Sequence, residues 1–374
     1  MFIRQKLMCD ASQSNTTLIM QAIMLVVSLL ISNSAFSLSC GTSTGNLLPC
    51  DGSQNQFSGG FVALSGYGGF GGGNCTANKT PVIYIHGNGD HAINFDAEPV
   101  LTPSGYSLPN KSVYDEFKSA GYNDCELFGV TYLSESERQN PGDNYHEHDK
   151  QVVIADFIDQ VISYTGASNV DIVSHSMGVS MGLSAIKRFG KWGQIRRFVN
   201  ISGGIRGLNA CYATGYANAY APTCASQNYW DSYLFGFYPD GGYWGNNDWT
   251  GASGSKSMRK APYYNPNTQF YTVTAGQRDQ VLCSTSTNYS NCDESALFSG
   301  YANVKAQLDI GAGTSALALD YDFSDGAITN LAGGDLNGVG HFGSRINSGK
   351  IIVNMLTTNC SGRTCAIGYA GPVQ

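Results

Sequence analysis

The residues Ser174-His175-Ser176-Met177-Gly178 stand between an apolar, β-branched run, Val170–Ser174, and a helical pattern that begins at Met177. A serine on a sharp strand-to-helix turn presents its hydroxyl at the C-terminal edge of a parallel sheet, and the helix N-terminus behind it favours developing negative charge. The turn needs small neighbours. Gly178 supplies one, and Ser174 stands where the full motif has a first glycine. The short motif is common by chance, and it is the strand–turn–helix context that gives it meaning. A hydroxyl nucleophile needs a base, and the base needs an orienting acid. On an elbow of this kind they follow the serine in the order acid, then histidine. Of the six histidines only His341 lies after Ser176, in Gly338-Val339-Gly340-His341-Phe342-Gly343, which reads as a flexible loop between the last strand and the last helix. Asp279 is the preferred acid: it follows the run Phe270–Ala275 through the turn Gly276-Gln277-Arg278, with one more strand before His341. Asp309 lies inside a strand, and Asp320, Asp322 and Asp325 come after it, which makes them poorer choices. Two N–H donors should face the tetrahedral oxygen. Met177 provides one, and the backbone of Asn88 in His86-Gly87-Asn88-Gly89 is the expected second. His86 reads as a structural hydrogen-bonding residue of that turn. His175 reads as a packing residue that points away from the site.

These residues require a scaffold of alternating strands and helices. Pro81–Gly87, Glu126–Tyr132, Val170–Ser174, Arg197–Ser202, Phe270–Ala275 and Val304–Ile310 read as strands. Helices are expected over Val113–Ala120, His146–Tyr164 and Met177 to about Phe189, with a closing helix from Ser344 as its cap to about Leu356. In the second of these, Val153, Phe157 and Val161 recur at i, i+4 and i+8. The alternation implies an α/β fold with a mostly parallel central sheet flanked by helices, and the elbow specifies the α/β-hydrolase fold. One stretch breaks the pattern. Gly207 to about Pro262 is turn-rich and holds three of the four tryptophans, Trp230, Trp244 and Trp249, among Tyr229, Tyr233, Phe235, Phe237, Tyr238 and Tyr243. It reads as an aromatic-rich lobe inserted into one catalytic domain spanning 38–374. Its rings suit either a lobe core or exposed apolar contact area. Gly66-Tyr67-Gly68-Gly69-Phe70-Gly71 spells GxGxxG, but it follows no clear strand and opens no helix, so a surface loop is expected instead of a dinucleotide site.

Composition narrows the class. Only 13% of the 374 residues are charged and the net charge is −7, so no basic stripe exists to neutralise phosphates, and nucleic acid is not an expected partner. No apolar run long enough to cross a membrane occurs beyond the N-terminus. Residues 1–37 read as a secretory signal: Arg4 and Lys6, an apolar run from Leu18 to Ile31, then Ala35-Phe36-Ser37 before the cleavage point. Ten cysteines follow it, an even number without zinc spacing, which favours disulfides in an exported chain. Sequential pairing is expected (Cys40–Cys50, Cys75–Cys125, Cys211–Cys224, Cys283–Cys292, Cys360–Cys365), although spacing alone leaves connectivity open. Asp320-Tyr321-Asp322-Phe323-Ser324-Asp325-Gly326 echoes a calcium loop, but its glycine comes one position late and no glutamate closes it, so it reads as an acidic turn. Neither a metal nor another cofactor is expected.

The stretches PVIYIHGNGD, GYNDCELFGVTYL, VDIVSHSMGVSMGL, GGIRGL, GYANA, AGQRDQV and NGVGHFG resemble the extracellular depolymerases that attack native, amorphous poly(3-hydroxybutyrate). The resemblance runs from about Leu38 to the C-terminus. It implies the α/β-hydrolase fold and a triad of Ser176, Asp279 and His341, with Asn88 and Met177 at the oxyanion hole. Tyr145 and Asn337 match residues at the active-site mouth. Around Tyr243–Trp249 the match is weaker. The expected function is that of a secreted, monomeric serine esterase that hydrolyses an insoluble polyester to short oligomers, with Trp230, Tyr243 and Trp244 as contacts to the polymer. A secreted triacylglycerol lipase or carboxylesterase shares every triad residue and is the alternative. A non-catalytic adhesion protein is a remote one.

Overall fold

The computed structural model describes residues 55–96, 111–208, 211, 214–215, 217–228, 230–238, 267–276, 279–283, 295–311 and 340–374, all within the unit Leu38–Gln374. The signal sequence, Cys40, Cys50, Cys292, Tyr229, Tyr243, Trp244, Trp249, Asn337 and the acidic turn 320–326 lie outside the described residues.

Eight strands form one sheet: β1 (Asn55–Phe57), β2 (Gly69–Gly71), β3 (Val82–Ile85), β4 (Leu127–Val130), β5 (Val170–His175), β6 (Ile195–Ile201), β7 (Gln269–Thr274) and β8 (Val304–Asp309). Their spatial order is β1-β2-β4-β3-β5-β6-β7-β8. From β4 to β8 all neighbours are parallel, while β2 meets β4 antiparallel and pairs in parallel with β1. The described helices are α1 (Val113–Ser119), α2 (Glu135–Gln139), α3 (His148–Thr165), α4 (Met177–Arg188), α5 (Pro222–Ala225), α6 (Gln280–Cys283), α7 (His341–Asn347) and α8 (Gly349–Thr357). This is an α/β-hydrolase fold with a mostly parallel sheet and flanking helices.

Strands β2 to β5 are buried on both faces, and the apolar runs of β3 and β4 are continuous, whereas the outer strand β8 alternates buried Ala306 and Leu308 with half-buried polar residues. Period-2 geometry sends alternate side chains to opposite layers. Ile83 and Ile85 join Phe128, Val130, Ile172 and Phe198 against Ile154, Phe157, Ile158 and Val161 of α3 and Val179, Leu183 and Ile186 of α4. Val82 and Tyr84 join Val173, Val199, Tyr271 and Val273 against Tyr114 and Phe117 of α1 and Ile352, Met355 and Leu356 of α8.

Two expectations need correction. The Gly/aromatic segment is in part the strand β2, and Phe70 is fully buried against Tyr84 and Tyr114. Gly69 and Gly71 take φ +141 and +142, and a Cβ on Gly69 would stand 2.1 Å from the Gly129 carbonyl oxygen, so only glycine lets this edge approach β4. The closing helix is two helices, α7 and α8, with Ser348 between them. Ser344 is not a cap but lies within α7, whose N-cap is Gly340. The break sets Gly349 against Val113 and Glu116 of α1.

Disulfides Cys75–Cys125, Cys211–Cys224 and Cys360–Cys365 form as expected. Among the described residues no helix is long and apolar enough to cross a membrane. The described part of the lobe is divided. Phe235 and Phe237 are buried, with Phe235 stacked on His146 at 4.1 Å, whereas Trp230 and Tyr220 are 98% and 97% exposed.

Phe157 has no exposed surface and packs against Phe57 and Phe61 at 6.2 and 5.7 Å between ring centroids. Phe157→Ala should therefore lower unfolding stability by about 3–5 kcal/mol, measured by urea titration. A loss below about 1 kcal/mol would contradict the packing of α3 on the sheet.

Candidate active site

β5 ends at His175 and α4 begins at Met177, so Ser176 alone makes the turn, with φ 53 and ψ −127. Such a backbone costs on the order of 1–3 kcal/mol and persists only where the surroundings enforce it. Here the Ser176 N–H donates to the Ile201 carbonyl at 2.9 Å, and the Ser176 carbonyl accepts from the Val179 N–H at 3.0 Å. Gly178 is obligatory, since a Cβ there would lie 2.2 Å from the His86 carbonyl oxygen and 2.6 Å from that of Ile85. Ser174 is buried, and its hydroxyl donates to the Val199 carbonyl at 2.9 Å. Serine thus fits the first small position of the elbow by bonding into β6. Ser176 itself remains partly exposed.

His341 is the first residue of α7, not a member of a flexible loop, and is 1% exposed. Its Nε2 lies 2.8 Å from Ser176 Oγ, and its Nδ1 lies 2.9 and 2.8 Å from the two oxygens of Asp279. With the aspartate ionised, Nδ1–H donates to Asp279, and Nε2 is left to accept from the serine hydroxyl. Asp279 is fully buried, and its Oδ1 also accepts the N–H groups of Val281 and Leu282 at 3.0 and 2.8 Å. The N-terminal turn of α6 therefore orients the carboxylate that orients the imidazole. The three residues expected from chain order meet in one hydrogen-bonded line.

Met177 opens α4 beside the serine. Asn88 lies in the loop after β3. Its Nδ2 donates to the Pro141 carbonyl at 2.8 Å and its Oδ1 accepts from Asn144 Nδ2 at 2.7 Å, so the side chain anchors the loop. His86 behaves as expected of a structural residue. Nδ1–H donates to the Gly87 carbonyl at 2.8 Å, Nε2 accepts the Tyr132 N–H at 3.2 Å, and the ring stacks on Tyr132 at 4.3 Å. His175 departs from expectation. Instead of pointing away, it lies 4.8 Å from the His341 ring and donates Nε2–H to the His341 carbonyl at 3.0 Å. Burial holds both the His86 and His175 imidazoles well below the usual histidine range, so both are neutral at pH 7.

Tyr145 lines a cavity of about 350 Å³ with Tyr67, Tyr132, Lys150, Val153 and Leu234. Its neighbour Asn144 is the residue bonded to Asn88, which ties this cavity to the loop after β3. Trp230 stands at the lobe surface. Among the described residues no group of three or more His, Cys, Asp or Glu side chains could hold a metal ion.

Sequence reasoning missed three supports. His146 reaches Ser180 of α4 through Nε2 and the Phe235 carbonyl through Nδ1, joining lobe and elbow helix. Asn144 fastens Asn88. A buried ion pair joins Asp90 to Arg345, 255 residues apart. The only sequence signals for the last were an acidic residue two positions beyond Asn88 and a basic one four positions beyond His341.

The α/β-hydrolase fold carries this serine–histidine–carboxylate line at the strand–turn–helix junction. A family model described as Lipase (class 2) matches residues 79–310, and the chain belongs to this family of lipase/esterase-like hydrolases. Among solved structures it is similar to the mature form of Bacillus licheniformis lipase BlEst2 (14% identity, 55% of this chain and 69% of that one, TM-score 0.32). It is also similar to Aspergillus fumigatus lipase B (15%, 76% and 54%, TM-score 0.40) and to carboxylesterase CesB (YbfK) from Bacillus subtilis (12%, 55% and 67%, TM-score 0.26). The chain spans 38% of the propeptide form of BlEst2 and about half the length of lipase B.

Beside the site, burial pushes His91 down to about 4. A histidine whose folded pKa lies below its unfolded value of about 6.5 takes up its proton only on unfolding between those limits, so stability falls as pH drops from about 6.5 towards 4. His86 and His175 act in the same direction. His91→Asn should flatten this acid limb in denaturant titrations repeated from pH 7 to pH 4. An unchanged slope would show that His91 is no more buried than in the unfolded chain.

Proposed function

We propose that this protein is a secreted serine esterase that hydrolyses the ester bonds of amorphous poly(3-hydroxybutyrate), acting as a monomer without a cofactor. The carrying observation is the line Ser176 Oγ–His341 Nε2 with Nδ1–Asp279, set on a strand–turn–helix elbow. In the proposed cycle Ser176 Oγ attacks the ester carbonyl carbon while His341 Nε2 takes the hydroxyl proton. The carbonyl oxygen becomes an oxyanion held by the Met177 and Asn88 N–H groups, and Asp279 stabilises the imidazolium without being protonated. The tetrahedral intermediate collapses, the C–O bond to the leaving hydroxyl end breaks, and that oxygen receives the proton from His341. Water then attacks the acyl-enzyme, giving its proton to His341, which returns it to Ser176 as the shortened acid leaves.

The polymer assignment rests on the resemblance set out above and on the exposed rings of Trp230 and Tyr220. An insoluble chain cannot diffuse to the serine, so the enzyme must meet a surface, and uncharged aromatic area suits that contact. Tyr145 is assigned to the mouth of the site, with Asn337, Tyr243 and Trp244 as further contacts. Three disulfides suit an oxidising compartment, consistent with export through the N-terminal signal. Family membership equally favours the second reading, a triacylglycerol lipase or carboxylesterase.

The test is turbidity of an amorphous poly(3-hydroxybutyrate) suspension. Wild type should clear it and Ser176→Ala should not, while still adsorbing to the particles. Asp279→Asn should lower kcat on a soluble ester by about 10⁴-fold through the wrong imidazole tautomer. Wild type that cleaves soluble esters or triacylglycerols but leaves the suspension turbid would establish the lipase reading. Clearing by Ser176→Ala would refute the assigned nucleophile.

A further inference from the structure

We infer that the buried Asp90–Arg345 ion pair is the positioning device that sets the oxyanion donor of Asn88 against the base His341. The inference rests on the catalytic roles proposed above. Asp90 lies two residues beyond Asn88, and Arg345 lies four residues beyond His341 on α7, a spacing that puts both on one side of the helix. Both side chains of the pair are 2% exposed. Asp90 Oδ2 accepts from Arg345 Nη1. Asp90 Oδ1 accepts the His91 N–H at 2.9 Å and also Asn94 Nδ2, so the carboxylate is held by its own loop before the guanidinium reaches it. The guanidinium lies 5.9 Å from the ring centre of Phe95, in the turn Ala92–Asp96 that follows. A planar fork between a fixed carboxylate and a ring has little freedom to shift.

Stability does not account for such a pair. Taking both charges out of water offsets most of their attraction, and buried pairs replaced by apolar residues of similar size often leave a protein equally stable. Location gives the better account. Other contacts of α7 hold the helix elsewhere: Ser344 Oγ meets Ser202 Oγ beyond β6 at 2.8 Å, and the His341 carbonyl accepts from His175 of β5. The Asp90 link instead ties α7 to the loop that carries Asn88. Transition-state stabilisation needs the donor and the base in register with Ser176 to a fraction of an ångström, and these two come from opposite ends of the chain.

The test compares Asp90→Asn, Arg345→Met, the double variant and Arg345→Lys with wild type. The readouts are thermal unfolding, kcat and KM on p-nitrophenyl butyrate, and the rate at which a p-nitrophenyl alkylphosphonate labels Ser176. The double variant should unfold as cooperatively as wild type, yet lose about 100-fold in kcat with KM changed less than about threefold, and phosphonylation should slow in parallel. Arg345→Lys should recover part of the rate. A folded double variant with wild-type kcat overturns the inference, as does a loss that lies in KM or follows the unfolded fraction. Labelling of Ser176 in wild type with equal rates in the variants defeats the positioning role alone. Absence of label at Ser176 in wild type, with full ester hydrolysis by Ser176→Ala, defeats the nucleophile assignment and this inference with it.

Discussion

Ser176 occupies a backbone conformation that a side-chain-bearing residue ordinarily avoids, and much of the surrounding architecture is arranged to hold it there. The strain is enforced from two directions. β6 takes the serine N–H through Ile201, and β3 approaches so closely that residue 178 has no room for a side chain. Because β3 and β6 flank β5 in the sheet, Ser176 is held by three adjacent parallel strands and not by a loop. Parallel pairing at the sheet centre, with both faces covered, is what makes this rigid. The same close approach puts the loop after β3 next to the serine, so one steric constraint builds the elbow and places the loop that carries Asn88 beside it.

Around this turn lies a layer of buried polar groups that would be costly if left unpaired. Three imidazoles share it. His86 and His175 are kept neutral by burial, and this matters for the third. A charged His175, 4.8 Å from the His341 ring, would oppose the imidazolium that the proposed cycle places there. A neutral one supplies packing and a hydrogen bond to the His341 backbone without that opposition. The carboxylates are divided in the same way. Asp279 takes helix N–H groups and the base, while Asp90 takes its own loop and Arg345.

What could be read from the residues follows from how local the cause was. The strands β3, β5, β6 and β7 lie where β-branched and apolar runs place them, because such runs suit a sheet buried on both sides, while β8 was legible from the alternation of Val304, Ala306 and Leu308 with polar residues. Chain order located Ser176, Asp279 and His341, and the structure brings those three side chains together. Where tertiary packing decided, the pattern was silent. Gly69–Gly71 has poor strand propensity and becomes a strand only because glycine permits contact with β4. The break at Ser348, beyond which Gly349 lies close against α1, has no proline to announce it. His175 follows the alternation of β5 towards α7, a partner that no spacing rule identifies. Asp90 and Arg345 are invisible as a pair for the same reason: two ordinary charged residues far apart in sequence become partners only once the sheet has brought their segments together.

The lobe separates two kinds of aromatic residue within a few positions of each other. Phe235 and Phe237 are buried against the His146 ring, which also bonds Ser180 of the helix after Ser176. Trp230, almost wholly exposed, has no such obligation. A residue of this kind is close to neutral for folding, within about 0.5 kcal/mol. The fold therefore leaves Trp230 free to be exchanged for another surface residue at little folding cost, whereas Phe235, five positions on, is tied to the packing around His146.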